Sequence, residues 1–262
     1  MTDFVIAVPS YQRTKDCQKS LRLLKKHQLL GMTTLFVTEG EYNQYRDECV
    51  KADLMPSNIV IGHIGLIPQR TFIYNFYPSG THIFMMDDDV EDYIDISGNS
   101  ANIAPFIKMG FDECVKEKCR MFGFYAACNP FFMRQTITTD LKYCIGSSFG
   151  IINTGSEPTI PIEDHCGLRE DYFRTCGYFK ADGKVVRINF ISMKTRYLKN
   201  KGGLEYVRTG ENIKNASDKL RDLYPDWVSL YIRKSNGFTE IRLRNKSKKH
   251  INGTPPTCRI TD

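Results

Sequence analysis

Apolar residues in this chain gather in short runs, and between the runs the spacing changes to that of a helix. Phe4-Val5-Ile6-Ala7-Val8 is continuous and stops at Pro9-Ser10; residues 33–37, 58–61 and 82–86 repeat the pattern. Such runs, closed by polar residues, read as strands buried on both faces. From 16 to 30 the residues Leu21, Leu23, Leu24 and Leu29 form a stripe among Lys and Arg, which predicts a helix closed by Gly31. A polar helix is expected over 42–52, a loop over 65–69, and a helix from Arg70 to Asn75. Further on, helices are expected over 102–121, 168–177 (bearing Arg169, Glu170, Asp171 and Arg174) and 213–224. Strands are expected over 122–127, 143–152 and 185–191, and 228–233 with 238–244 form a hairpin around Ser235-Asn236-Gly237.

The alternation predicts an α/β fold, a Rossmann-like mixed, mainly parallel sheet flanked by helices. Neither GxGxxG nor a Walker A sequence follows the first strand, which weakens the dinucleotide and P-loop readings. With no internal repeat and no low-complexity linker, the expectation is a core over 1–205 and, within the same domain, a basic helix and hairpin extension over 206–262.

Composition adds limits. The chain has 262 residues, 41% hydrophobic and 25% charged, ordinary for a soluble protein. Its longest apolar runs fall far short of the roughly 20 residues that span a bilayer. The start, MTDFVIAVPS, has neither the basic region nor the long apolar region of a signal peptide, so a cytoplasmic location is expected. Nine scattered cysteines, without a CxxC, point to reduced thiols. Charge is asymmetric: from Lys180 onward there are 19 Lys and Arg against 8 Asp and Glu, a net of +11, whereas the first 179 residues carry −5. A basic final third suits a polyanion; it equally suits a solvated surface.

The candidate chemistry centres on Phe84-Met85-Met86-Asp87-Asp88-Asp89-Val90. Three adjacent carboxylates at a strand end repel one another and lose solvation, a cost that a nearby cation removes. Hard oxygen ligands suit Mn²⁺ or Mg²⁺, and Mg²⁺ is usually held by one or two carboxylates together with substrate phosphates. In open α/β sheets, ligands sit outside the carboxyl ends of strands.

The order of Pro9-Ser10-Tyr11 with Arg13, then Arg70, Asp87-Asp88-Asp89 and Glu163-Asp164 resembles that of a GT-A glycosyltransferase, a metal-dependent user of nucleotide sugars. Over roughly residues 4–205 the chain is more narrowly similar to the glycosyltransferases associated with TET/JBP-type DNA-modifying oxygenases, found largely in phages and kinetoplastids. PSYQR, Gln69-Arg70, FMMDDDV, IEDHCGLREDYFRTCG and the stretch from Ile191 through Gly203 carry that likeness. Pro68-Gln69-Arg70-Thr71 departs from it, standing in place of the usual Arg-Asn pairing.

The resemblance implies a transferase moving a sugar from a nucleotide diphosphate donor, UDP-linked, to the hydroxymethyl group of a modified pyrimidine in DNA. It implies donor contacts from Pro9, Ser10, Tyr11, Arg13, Glu39, Arg70, Asp87, Asp88 and Lys194. Asp89 and Asp87 would hold the metal, with His165 as a further ligand or an ordinary structural histidine. Asp164, then Glu163, is the candidate base. Because side chains alternate along a strand, Asp88 is expected to point away from Asp87 and Asp89. Lys199, Lys201, Arg208, Arg242, Arg244, Lys246, Lys248 and Lys249 are the expected grip on the DNA backbone. Two other readings stay open: the same transferase with a glycan or small-molecule acceptor, and a DNA-binding module without catalysis.

Overall fold

The computed structural model describes residues 4–155, 168–195 and 208–244. Its elements run β1 (Phe4–Pro9), α1 (Thr14–Lys26), β2 (Thr33–Val37), α2 (Tyr42–Lys51), β3 (Asn58–Ile61), α3 (Leu66–Phe76), β4 (His82–Met86) and β5 (Val90–Asp95). They continue with α4 (Ala104–Glu117), β6 (Met121–Tyr125), β7 (Ile137–Thr138), β8 (Ser148–Ile152), α5 (Glu170–Asp182), β9 (Val186–Thr195), α6 (Gly210–Leu223), β10 (Val228–Ile232) and β11 (Thr239–Leu243).

One sheet has the order β3-β2-β1-β4-β8-β6-β9-β5, with β7 also paired to β9. The first four strands are mutually parallel, as are β6 and β9. β8 is antiparallel to β4 and β6, and β5 and β7 are antiparallel to β9. The sheet is therefore mixed and mainly parallel, as the spacing of apolar runs predicts. Helices cover both faces: Ile6, Val8, Phe84 and Met86 pack with Leu21 and Leu24 of α1 and Phe111 of α4, while Ala7, Ile83 and Met85 pack with Ile73 of α3 and Tyr178 of α5. A strand covered on both sides must be apolar at successive positions.

The Phe122 ring fills the space in front of Gly110 on α4 and Gly150 on β8, where an added Cβ would overlap it. Along β9 the register against β6 jumps from Phe124↔Ile188 to Tyr125↔Ser192. Asn189, in that interval, donates to the Thr136 carbonyl from its backbone at 3.0 Å and from its amide at 3.1 Å.

The hairpin β10–β11 forms a separate two-stranded sheet with α6 against it. Leu220, Val228 and Ile241 pack with Ile67 of α3 and with Phe173 and Cys176 of α5.

Several boundaries differ from the sequence expectation. α1 stops at Lys26 because Gln28 is left-handed (φ 60°); Leu30–Met32 is a separate 3₁₀ turn. α3 begins at Leu66, so the stretch expected as a loop is already helical and Arg70 lies inside the helix instead of opening it. Gly65, at φ 96°, turns the chain into that helix, and Pro68 is tolerated in its first turn, where backbone N–H groups lack helical partners. α4 ends at Glu117, with Lys118 left-handed beyond it. β8 starts at Ser148 and not at Tyr143, whose ring instead stacks on Tyr172 of α5 at 4.1 Å. β9 runs on to Thr195, and β5 was not expected at all. Among the described residues no helix is long and apolar enough to cross a membrane.

Candidate active site

The three acids occupy the turn that joins β4 to β5, at the edge where β1, β2, β3 and β4 end. Ser20 of α1 pins this turn: its hydroxyl lies 3.1 Å and 3.2 Å from the carbonyls of Asp87 and Val90 and accepts the Val90 N–H at 2.9 Å. The acids then diverge. Asp88 is buried, accepts from the Ser10 hydroxyl at 2.5 Å and from Arg13 at 3.5 Å, and burial pushes its carboxyl up to about 7. Arg13 also lies 3.6 Å from Asp89. Ser10 and Arg13 thus meet the acids directly, and Tyr45 holds both, through the Ser10 hydroxyl at 2.7 Å and the Arg13 N–H at 3.1 Å.

Asp87 faces the other way. Its Oδ1 accepts from Arg70 at 2.8 Å, and its side chain stays one-third exposed. Arg70 is buried; it also donates to the Gly146 carbonyl at 2.7 Å and to Glu170. Arg174, one helical turn after Glu170, lies 2.5 Å from its second oxygen and stacks over Phe149 at 4.4 Å. Two guanidinium groups thus alternate with two carboxylates, in a row buried except at its Asp87 end. Burial pushes Glu170 up, but Arg174 and Arg70 outweigh it and hold its pKa below the usual range. Asp87 is pushed upward, since partial burial together with Asp89 and Glu170 outweighs Arg70.

Beside Glu170 stands Asp171, which accepts from the Tyr143 hydroxyl and has its pKa raised by burial and by Glu170. A Cβ added to Gly146 would lie 3.3 Å from that of Asp171, and Ser147, the next residue, accepts the Asp87 N–H at 2.9 Å. Asp171 therefore stands on the same edge as the acid turn. The sequence placed Glu170 and Asp171 on a helix and within the stretch IEDHCGLREDYFRTCG, with no role for either. The available signal was the Glu170/Arg174 pair at i,i+4 in a helix that also carries Phe173, Cys176 and Tyr178.

An open cleft of about 660 Å³ lies where β1, β2 and β3 end, lined by Tyr11, Thr38, Glu39, Gly62, His63 and neighbouring residues. The structure thus brings Tyr11 and Glu39 to one hollow. Its floor is braced: Glu41 accepts from the Gln12 N–H at 2.8 Å and from the Thr38 hydroxyl at 2.6 Å. The Gln69 amide oxygen accepts the His63 N–H at 2.5 Å and occupies the space that a side chain at position 62 would need. Pro9, the last residue of β1, is half-buried.

Lys194 is exposed on β9, in register with Asp92 of β5. Arg208 is half-buried; Arg242 and Arg244 are exposed, Arg242 lying over the Tyr231 ring at 5.3 Å. Glu163, Asp164, His165, Lys199, Lys201, Lys246, Lys248 and Lys249 lie outside the described residues.

Among the described residues no group of three or more His, Cys, Asp or Glu could hold a metal alone. With Asp88 turned inward, Asp87 and Asp89 are the two partly exposed carboxylates of the turn. That donor set fits a hard cation whose shell is completed by substrate phosphates.

No family model and no curated protein matches this chain. Among solved structures it is similar to S. aureus TarS 1-349, at 12% identity and a TM-score of 0.49, over 84% of this chain and 66% of that one. It spans just under two thirds of that fragment. A second is 4-diphosphocytidyl-2C-methyl-D-erythritolsynthase from Anaerococcus prevotii, at 10% identity and 0.42, over 84% of this chain and all of that one. A third is glucosyl-3-phosphoglycerate synthase from Mycobacterium tuberculosis in complex with Mn²⁺, UDP and glucosyl-3-phosphoglycerate, at 8% identity and 0.49, over 93% and 87%. All three TM-scores are under 0.5, so the fold assignment rests on strand order and register.

Proposed function

We propose that this protein is a metal-dependent glycosyltransferase of the GT-A type, moving a sugar from a nucleotide diphosphate sugar, UDP-linked, to a hydroxymethylated pyrimidine in DNA. One observation carries the transferase reading: two carboxylates, Asp87 and Asp89, stand on the same sheet edge as an open cleft shaped by Tyr11, Glu39 and Gly62.

The cleft takes the nucleoside, and the diphosphate points toward the acid turn. A divalent cation, Mn²⁺ or Mg²⁺, would be held by Asp89 and Asp87 with the diphosphate oxygens, and it supplies neutralisation of the charge that gathers on the leaving group. Arg13 fixes Asp88 and Asp89; Arg70 fixes Asp87. Lys194 offers a cation to phosphate. The acceptor hydroxyl gives its proton to a carboxylate on the face opposite the leaving group. Asp164 and Glu163 are proposed for this from the sequence, and Asp171 from its place beside Gly146. Asp→Asn exchange at 164 and 171, and Glu163→Gln, separate the three.

The acceptor is proposed as 5-hydroxymethylcytosine or 5-hydroxymethyluracil in DNA, supported by the net charge of +11 from Lys180 onward. A 5-substituent lies in the major groove and is reachable there. The test is mass spectrometry of nucleosides after hydroxymethylated DNA is incubated with the protein, Mn²⁺ and a panel of nucleotide sugars. A pentose or hexose mass gain on the modified base is expected. No gain on any base across the panel overturns the reading.

A further inference from the structure

The segment between β6 and β7 exposes two aromatic rings that join none of the core clusters of the described residues. Phe131 and Phe132, in the 3₁₀ turn Pro130–Phe132, are 78% and 52% exposed, with ring centroids 5.0 Å apart at 86°. Burying a Phe side chain is worth about 1.5–3 kcal/mol relative to exposing it, so two neighbouring rings left in water forgo a sizeable stabilisation.

The turn is nevertheless firmly built. The Asn129 side chain accepts the Phe131 N–H at 3.1 Å, the adjacent Met133 is buried, and Arg134 donates to the carbonyls of Phe131 at 3.1 Å and Met133 at 2.7 Å. The rings are therefore presented on a fixed backbone. Arg134 is itself exposed, so a cation stands beside the pair.

Position adds the second part. The segment leaves β6 at Tyr125, on the edge where β4 also ends, since β4 and β6 both run antiparallel to β8. Tyr125 pairs with Ser192 of β9; on the same strand, Lys194 pairs with Asp92, and Thr195 with Val90, the residue after the acid turn. At about 3.3 Å per residue, the segment starts roughly 10 Å along β9 from Val90, and it then runs away from the acid turn to place Pro130 beside Gly98, past the far end of β5. Lys194 acts electrostatically on Cys128, within the segment.

Aromatic faces interleaved with cations suit a ligand that alternates flat rings with negative charges, which describes a nucleic-acid strand. We propose that Phe131 and Phe132 form a stacking platform for bases of the acceptor DNA strand, with Arg134 facing its phosphates. This rests on the DNA acceptor proposed above.

The test is fluorescence anisotropy with a hydroxymethylated single-stranded oligonucleotide, comparing the wild-type chain with Phe131→Ala, Phe132→Ala, the double variant and Phe131→Trp. Both residues are exposed, and thermal melts check that each variant folds. Loss of a stacked base corresponds to about 5-fold to 150-fold weaker binding. That loss is expected for alanine, while Trp retains affinity and the salt slope stays that of the wild type. A double alanine variant that binds as well as the wild type overturns the platform alone. Rings needed for anionic vesicles but not for the oligonucleotide overturn it in favour of a lipid surface. A wild-type chain that binds no single strand overturns the platform, and one that binds neither the single strand nor a hydroxymethylated duplex overturns the DNA acceptor as well.

Discussion

Arg70 donates to Asp87 and Glu170 at once, so a single buried guanidinium ties the acid turn to the first residue of α5. Removing the Glu170 charge takes from Arg70 one of its two carboxylates and from Arg174 the carboxylate it meets at 2.5 Å. Breaking a buried ion pair from one side costs about 3–5 kcal/mol. Glu170→Gln should therefore lower the urea midpoint sharply, and Arg70→Lys should not restore it in combination, because an ammonium cannot reproduce the two-sided fork. Chemical denaturation of the three variants measures this.

Asp88 and Asp89 should separate cleanly. Asp89→Ala is expected to lower sugar transfer about 100-fold or more, the scale of losing one electrostatic stabiliser, with the melting temperature close to wild type. It should leave salt-sensitive DNA binding in place. Asp88→Ala strips Ser10 and Arg13 of their buried partner and is expected to lower stability as well as turnover. Melting curves beside turnover assays distinguish the two.

Acid should weaken the fold through His27. This side chain is buried at the end of α1; burial and the neighbouring Lys26 lower its pKa, with Asp92 opposing. The unfolded chain, where histidine titrates near 6.5, therefore takes up the proton first as pH falls. Stability from this site is complete above about pH 7 and declines below about 6.5, by at most about 1.4 kcal/mol per pH unit. Urea midpoints at pH 7.5 and 5.5 should differ less in His27→Leu than in the wild type.

The Phe122 ring has no room to yield between Gly110 and Gly150. Gly150→Ala should cost about 1–3 kcal/mol by overpacking, and Gly150→Ala with Phe122→Leu should recover part of it. Equilibrium unfolding of the single and double variants gives the coupling.

The parallel half of the fold was legible because β1, β2 and β4 are covered on both faces, which forces continuous apolar runs. β5 was not. Val90 and Tyr93 are its buried positions, and Glu91, Asp92 and Asp95 blend with the preceding acids, so the stretch reads as one solvated loop. Of the site, Asp87 to Asp89 announced themselves as a cluster in sequence. The Glu170–Arg174 pair did not, because an i,i+4 ion pair looks the same on a wet helix and on one docked against Phe149. Arg70 was picked out, but Glu170 lies 100 residues further on, and only the docking of α5 brings it near.

The jump of register in β9 governs where the acids sit. Met86 and Val90 are four residues apart, a reach of at most about 14 Å, yet β8, β6 and β9 lie between their strands. Four gaps in a flat sheet would measure about 19 Å. The far edge must therefore curl back, as the 2.8 Å contact between the Tyr93 and Ser148 hydroxyls across β5 and β8 attests. The stretch from 189 to 191 is the hinge of that curl. Shortening it by one residue would shift the pairing of Lys194 and Thr195 and pull Asp87 to Asp89 off the end of β4. The geometry of the acids is thus set by the length of a kink much later in the chain.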